Sequence, residues 1–188
     1  MEIIKNKFKY LHAVLKNFES EATNSIYLTA NLIAEAFRNS NKILTCGNGG
    51  SAADAQHFAA EFVNSFSKTI NRVALPAISL TSDSAVLTSI ANDKSFDDVF
   101  SRQVEAFGKT GDVLVVFTTS GESKNCLNAL ETAKRLNLKT VLFTQKDKIP
   151  MKIADVVVGV PSSDTQTIQE CHIVAYHVVA ELVEKILF

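Results

Sequence analysis

A surplus of positive charge is what this sequence most plainly lacks. Its 188 residues carry 19 lysines and arginines against 20 aspartates and glutamates, and the two signs are interspersed, leaving a formal charge of -1. That excludes the electrostatic footprint by which a chain tracks nucleic acid or an anionic membrane, and points to a small molecule or a protein partner. Prolines and glycines are few, 3 and 7, and nowhere gather into a linker. A chain of this length without such a break fits one domain, residues 1–188, with a substantial core. Cysteines number only three, Cys46, Cys126 and Cys171, widely spaced. An odd, scattered set fits buried packing thiols better than a disulfide framework or a paired-cysteine metal site. The opening MEIIKNKFKYLHAVLKNFES mixes charged with apolar residues and lacks the apolar core and cleavage site of a signal peptide, so a cytoplasmic location is expected. There is no fixed-period repeat and no low-complexity tract.

What the chain does contain is periodicity. From Phe8 to about Ser40 the residues Leu11, Val14, Leu15, Ile26, Leu32, Ile33 and Phe37 recur at three and four, predicting two amphipathic helices. Five apolar runs follow: KILTC (42–46) ending at Gly47, Pro76 to Leu80, Asp112 to Thr119, Lys139 to Thr144, and Ala154 to Val160. None alternates apolar with polar, so each strand is expected to be covered on both faces, with helices between them. The prediction is a doubly wound parallel α/β sheet of five strands. The last stretch, TIQECHIVAYHVVAELVEKILF, carries Ile168, Ile173, Val174, Val178, Leu182 and Ile186 at helical spacing and reads as one long closing helix. Its wide apolar face, with the N-terminal helical segment 1–40, implies helical surface that a monomer leaves uncovered and hence a helical oligomer interface. Glu181, Glu184 and Lys185 exclude a membrane span there.

In open parallel sheets, ligands collect beyond the carboxyl ends of the strands, where helix N-termini offer unpaired N–H groups. Two loops occupy such positions: Gly47-Asn48-Gly49-Gly50-Ser51 after the first strand and Thr118-Thr119-Ser120-Gly121-Glu122-Ser123 after the third. Glycine lets the backbone approach an anion, and hydroxyls add donors without charge. Neither loop has the lysine of a nucleotide P-loop or the spacing of a dinucleotide fingerprint. Together they favour the phosphate of a phosphorylated metabolite.

On the helix that starts at the first loop, His57 and Glu61 stand four apart on one face, a spacing suited to a shared metal or to a base with its neighbour. Such a pair is commonly a solvated contact, but here Phe58, Ala59, Ala60 and Phe62 surround it and argue for partial desolvation. In the closing helix, Gln169 and His177 are polar positions among apolar ones. On a continuous helix eight residues rise about 12 Å, too far for two ligands of one metal. Shared ligation requires either that the helix begin after Gln169 or that the two come from different copies of the chain.

Taken together, GNGGSAADAQHFAAEF, ALPAISLTSDSAVLTSIAND, VFSRQVEAFG, TTSGESKN and IQECHIVAYH resemble the phosphoheptose isomerases, single sugar-isomerase (SIS) domain enzymes that convert sedoheptulose 7-phosphate to heptose 7-phosphate. The resemblance covers most of the chain from Lys42 onward. It implies a flavodoxin-like sheet, a homotetramer built on helices with active sites shared between subunits, and one zinc per subunit held by His57, Glu61, Gln169 and His177. It places phosphate contacts at Ser51, Thr118, Ser120 and Ser123, with Asn48, Gly49, Gly50, Asp93, Thr119 and Gln169 completing the substrate site. By the same pattern Glu61 is the base and His177 the acid of an enediol mechanism, the first step towards nucleotide-activated heptose for lipopolysaccharide or capsule. A seven-carbon sugar phosphate has about the length to reach from the first glycine loop to His57 and Glu61.

Four departures from the family pattern stand out: Glu122 replaces asparagine in the second loop, Ser65 and Thr167 replace arginines, and QKDKIP replaces a glycine pair after the fourth strand. They remove positive charge near the substrate while keeping the metal set. The lost arginines and Glu122 are also what a non-catalytic SIS-domain tetramer, like the relative that binds the replication initiator DnaA, would show. An isomerase of another ketose phosphate would use the same residues.

Overall fold

The computed structural model describes residues 1–147 and 153–188. Helix α1 (Glu2–Arg38) is followed by β1 (Ile43–Gly47), α2 (Gly50–Val63), β2 (Ala77–Ser79), α3 (Ser84–Asp93), a 3₁₀ turn (Phe96–Asp98) and α4 (Ser101–Phe107). Then come β3 (Val113–Phe117), α5 (Lys124–Arg135), β4 (Lys139–Gln145), β5 (Val156–Val160) and α6 (Thr165–Leu187). The strands form one five-stranded sheet in the order β2-β1-β3-β4-β5, every pairing parallel. This is the expected doubly wound, flavodoxin-like sheet, with strand boundaries within a few residues of those read from the apolar runs. Pro76, for instance, lies just outside β2: it has no N–H to give the ladder, but its carbonyl accepts from Ile43 N at 3.0 Å.

Successive strand residues serve opposite faces. Ile43, Val113, Val115, Phe117, Val141 and Phe143 pack with α1, α2 and α6 in one core, whereas Leu44, Cys46, Leu114, Val116 and Leu142 pack with α4 and α5 in the other. This is why the runs read as unbroken apolar sequence. All three cysteines are free and buried, as the packing reading anticipates.

The N-terminal segment departs from expectation: the two helices predicted there are one, 37 residues long. The polar stretch around Ser20 to Ser25, which suggests a break, is absorbed because its hydroxyls bond back to the preceding turn. Ser20 Oγ donates to Asn17 O (2.8 Å), Thr23 Oγ1 to Glu19 O (2.5 Å) and Ser25 Oγ to Ala22 O (2.9 Å). With no glycine or proline inside, nothing stops the helix.

α2 and α6 lie side by side over β3 and β4. Their seam is an aromatic cluster, with Phe58 against Phe62 (4.9 Å between ring centroids), Tyr176 (5.5 Å) and Phe117 (6.0 Å), and Phe117 stacked on Phe143 (4.8 Å). Each such contact adds about 0.5–1.5 kcal/mol to the area buried. The two helices that carry the polar residues of interest are therefore fixed to the sheet. Among the described residues, no helix is long and apolar enough to cross a membrane.

Candidate functional site

β1 and β3 are neighbours at the point where the chain order of the sheet reverses, and the loops leaving them open on one crevice. A cavity of about 270 Å³ there is lined by Asn48, Gly50, Ser51, Phe117, Thr118, Thr119, Ser120, Ser123, Thr165 and Gln169. The α2 N-terminus (Gly50, Ser51), the α5 N-cap (Ser123) and the first residue of α6 (Thr165) all reach it. Each helix brings the equivalent of roughly half a positive charge, so an anion is attracted without a lysine or arginine in the lining.

The loops are preorganised by their own side chains. Asn48 Nδ2 donates to Asn125 Oδ1 (2.9 Å) and Asn125 Nδ2 to Asn48 Oδ1 (2.8 Å), tying the first loop to the start of α5. Gly121 N donates to Thr118 Oγ1 and Glu122 N to Ser120 Oγ, both at 3.2 Å. Gly49 does not line the cavity but sets the turn: its φ of 56° and ψ of -122° suit a residue without Cβ, and its carbonyl receives Ala52 N to start α2. At Gly50 the requirement is space, since a Cβ would fall 2.4 Å from Gln169 Nε2.

Further along the same pair of helices is a second cluster. His57 Nε2 lies 2.8 Å from Glu61 Oε1 and 3.5 Å from His177 Nε2. One ligand atom from each of the three falls within 4.8 Å of the others, an arrangement able to hold a metal ion. Burial and then the neighbouring His57 lower the His177 pKa below the ordinary histidine value, against the pull of Glu61. Two imidazoles and a carboxylate this close are a donor set that suits a divalent cation. Tyr176 Oη contacts the other ring nitrogen of His57, Nδ1, at 2.9 Å.

The structure thus brings His57, Glu61 and His177 together and leaves Gln169 out. α6 begins at Thr165, upstream of Gln169, so the possibility that the helix starts after it is excluded. Gln169 lies against Gly50 in the anion cavity instead. Asp93 is likewise apart from the cavity, exposed at the end of α3 and bonded to Asn92 Nδ2 at 2.8 Å. Glu122 is exposed and does not line the cavity, so the repulsion it threatens is not directed inward. Thr167 is fully buried, bonding Asp164 Oδ2 (2.6 Å) and receiving Lys7 Nζ (3.1 Å). Of QKDKIP, residues 148–150 lie outside the described residues.

Sequence reasoning missed Asn125, Thr165 and Tyr176, together with a buried ion pair, Arg72 to Glu184 at 2.7 Å, that clamps the end of α2. Only Tyr176, beside His177, offered any local signal. A larger cavity, about 410 Å³, lies between α1 and β5 with Lys146 and Glu21 already paired across it at 2.9 Å. It adjoins neither loop nor the histidine cluster.

The SIS-domain family profile matches residues 8–145. The phosphoheptose isomerase of Chlorobaculum parvum is 45% identical over 188 residues, covering 99% of this chain and 90% of its own. That of Thermodesulfovibrio yellowstonii is 47% identical over 177 residues, 93% of this chain and 87% of its own. Among solved structures, the phosphoheptose isomerase of Neisseria gonorrhoeae is 38% identical with a TM-score of 0.91, covering 98% of both chains. With near-half identity along nearly its whole length and a matching backbone, this chain belongs to the phosphoheptose isomerase family of SIS-domain proteins.

Proposed function

We propose that the chain is an aldose–ketose isomerase converting sedoheptulose 7-phosphate to D-glycero-D-manno-heptose 7-phosphate, a cytoplasmic step towards activated heptose for lipopolysaccharide or capsule. The carrying observation is the alignment along α2 and α6 of an anion cavity at the helix N-termini with the His57, Glu61 and His177 cluster beyond it. From Gly50 to His57 is seven residues, about 10 Å of helix, comparable with the reach of a seven-carbon sugar phosphate.

In this reading Ser51, Thr118, Ser120, Ser123 and the helix N-termini hold the phosphate, and Asn48, Thr119 and Gln169 hold hydroxyls. Asp93 is assigned to the sugar by the family motif alone. Glu61 takes a proton from C1 while His177 gives one to O2, forming the enediol. Glu61 then returns its proton to C2 and His177 recovers one from O1 as the aldehyde forms. A zinc ion bound by His57, Glu61 and His177 would polarise the substrate oxygens.

Gln169 is the fourth ligand of the proposed set. Because about 12 Å of continuous helix separates it from His177 of its own chain, we assign that ligation to a second copy in a homotetramer. Ile3, Ile4, Phe8, Tyr27 and Leu28 on α1, and Ile173, Val174 and Val178 beside His177 on α6, are exposed apolar residues that such an assembly would cover. Residues 1–188 then act as one SIS domain with α1 contributing to assembly. Mixed oligomers of Gln169→Ala and His177→Gln chains test the sharing: activity above that of either parent is expected, and none above them removes it.

The decisive measurement is a coupled assay on sedoheptulose 7-phosphate with and without zinc, using wild type, Glu61→Gln and His177→Gln. Each variant should lose about 10²–10⁴-fold in kcat. No turnover by wild type with zinc present would overturn the isomerase reading in favour of a non-catalytic SIS tetramer of the initiator-binding kind. Faster turnover of another ketose phosphate would keep the reaction and replace the substrate.

A further inference from the structure

Tyr176 is fully buried, its ring held by Phe58 (5.5 Å) and Phe117 (5.8 Å), yet its hydroxyl is 2.9 Å from His57 Nδ1. His57 itself is 47% exposed. A half-exposed imidazole left alone would sample other rotamers and both neutral tautomers. Its other nitrogen, Nε2, faces Glu61 and His177. To offer that nitrogen's lone pair to a cation, neutral His57 must carry its proton on Nδ1, and that N–H needs an acceptor. The Tyr176 oxygen is in place to be one.

The phenol's own proton then needs a direction of its own. Asp54, one turn before His57 on α2, is 6% exposed, and its Oδ2 has no hydrogen-bond partner among the described residues. With an unpaired acceptor on the same helix, the phenol proton is free to turn away from the imidazole and leave the Tyr176 oxygen to accept from Nδ1–H.

We propose that Tyr176 is a positioning residue that fixes the Nδ1–H tautomer and the ring orientation of His57, so that Nε2 is presented to a bound cation. This rests on reading His57, Glu61 and His177 as a cation site. Partners of this kind are worth about 10–100-fold in metal affinity.

The test compares wild type with Tyr176→Phe, which keeps the ring. Zinc affinity of metal-free protein is measured by chelator competition, its stability by thermal melting, and the protonation of the His57 ring nitrogens in the zinc-loaded protein by ¹⁵N NMR above pH 7.5. The expected result is a zinc Kd raised about 10–100-fold, a metal-free Tm within about 4 °C of wild type, and, in zinc-loaded wild type, a His57 carrying its proton on Nδ1. A merely structural tyrosine would lower the Tm and leave zinc affinity alone. Zinc affinity of Tyr176→Phe within twofold of wild type overturns the proposal. So does a zinc-loaded wild-type His57 with its proton on Nε2, a measurement that needs no variant. Wild type that binds no zinc overturns the cation-site reading as well, so the two failures are distinct.

Discussion

Replacing Glu184 with alanine should be among the most damaging single changes in this chain, although Glu184 lies outside both the cavity and the histidine cluster. Its side chain is 1% exposed and that of Arg72 is 0% exposed, with Nε to Oε1 at 2.7 Å. Glu184 also accepts the backbone N–H of Phe66 and of Ser67, each at 2.9 Å. Arg72 in turn donates Nη2 to Glu61 O (2.7 Å) and Nη1 to Phe62 O (2.9 Å), closing the last turn of α2. Burial works to raise the Glu184 pKa, but the donors from Arg72, Phe66 and Ser67 outweigh it and hold the carboxyl below its ordinary value, so the pair is ionised at neutral pH. Truncation strands a buried guanidinium and two amides. Breaking such a pair costs about 3–5 kcal/mol, which at about 2–4 °C per kcal/mol for a domain of this size lowers Tm by roughly 6–20 °C. Because Arg72 also holds the Glu61 carbonyl, zinc affinity should fall alongside. The assay is thermal and urea unfolding at one fixed protein concentration, so that assembly does not vary. Arg72→Met with Glu184→Leu, which removes both charges at similar bulk, should recover the part of the loss that comes from the stranded charge. A cost below about 1 kcal/mol for Glu184→Ala, or a double variant no better than the single one, would refute the reasoning.

Burial depresses the His172 pKa from 6.5 to about 3, the Thr144 backbone offsetting it only in part. Below pH 6.5 the unfolded chain therefore binds a proton that the native state refuses, and this contribution to stability is lost at about 1.4 kcal/mol per unit as pH falls towards 3. Asp54, which burial raises to about 6 despite the neighbouring His57, acts in the opposite sense between its ordinary value and pH 6. The measurement is accordingly a difference: between pH 7 and 5, wild type should lose about 2 kcal/mol more than His172→Phe in urea titrations, and a pH-independent gap would sink the assignment. Gly50→Ala should barely change Tm, because the group it meets is the mobile end of Gln169, yet it should raise KM about tenfold or more, a displaced polar contact being worth roughly 1.5 kcal/mol; unchanged KM would remove Gln169 from the substrate site. Ser123→Ala, which deletes a hydroxyl at the N-terminus of α5, should weaken inorganic phosphate as a competitive inhibitor by about 10–100-fold, as expected for a hydrogen bond to a charged group, and an unchanged inhibition constant would place the phosphate elsewhere.

The sheet was legible because both of its faces are covered: strand residues such as Leu114 and Val115 serve different cores and still read as one apolar run. The two loops were legible because an anion site at a strand end needs residues of a particular kind, glycine for the turn at Gly49 and hydroxyls at Ser51 and Ser123. The N-terminal break was misread because hydroxyl side chains that favour turns in isolation bond back to their own helix when tertiary contacts hold it. His57 and Glu61 could be paired in advance because helix periodicity alone puts them on one face.

Sequence by itself therefore determined the layer architecture, the anion loops and the local histidine–glutamate pair, all consequences of spacing within one element. Only the tertiary structure decided that Gln169 lies at the anion cavity while His177 joins His57 and Glu61. It also decided that Tyr176 reaches the far nitrogen of His57 and that Glu184 and Arg72 clamp the end of α2. Each of these joins residues about 110 or more apart in the chain. Their partnership is set by how α2 and α6 dock through buried aromatic rings, and no periodicity within either segment encodes that docking.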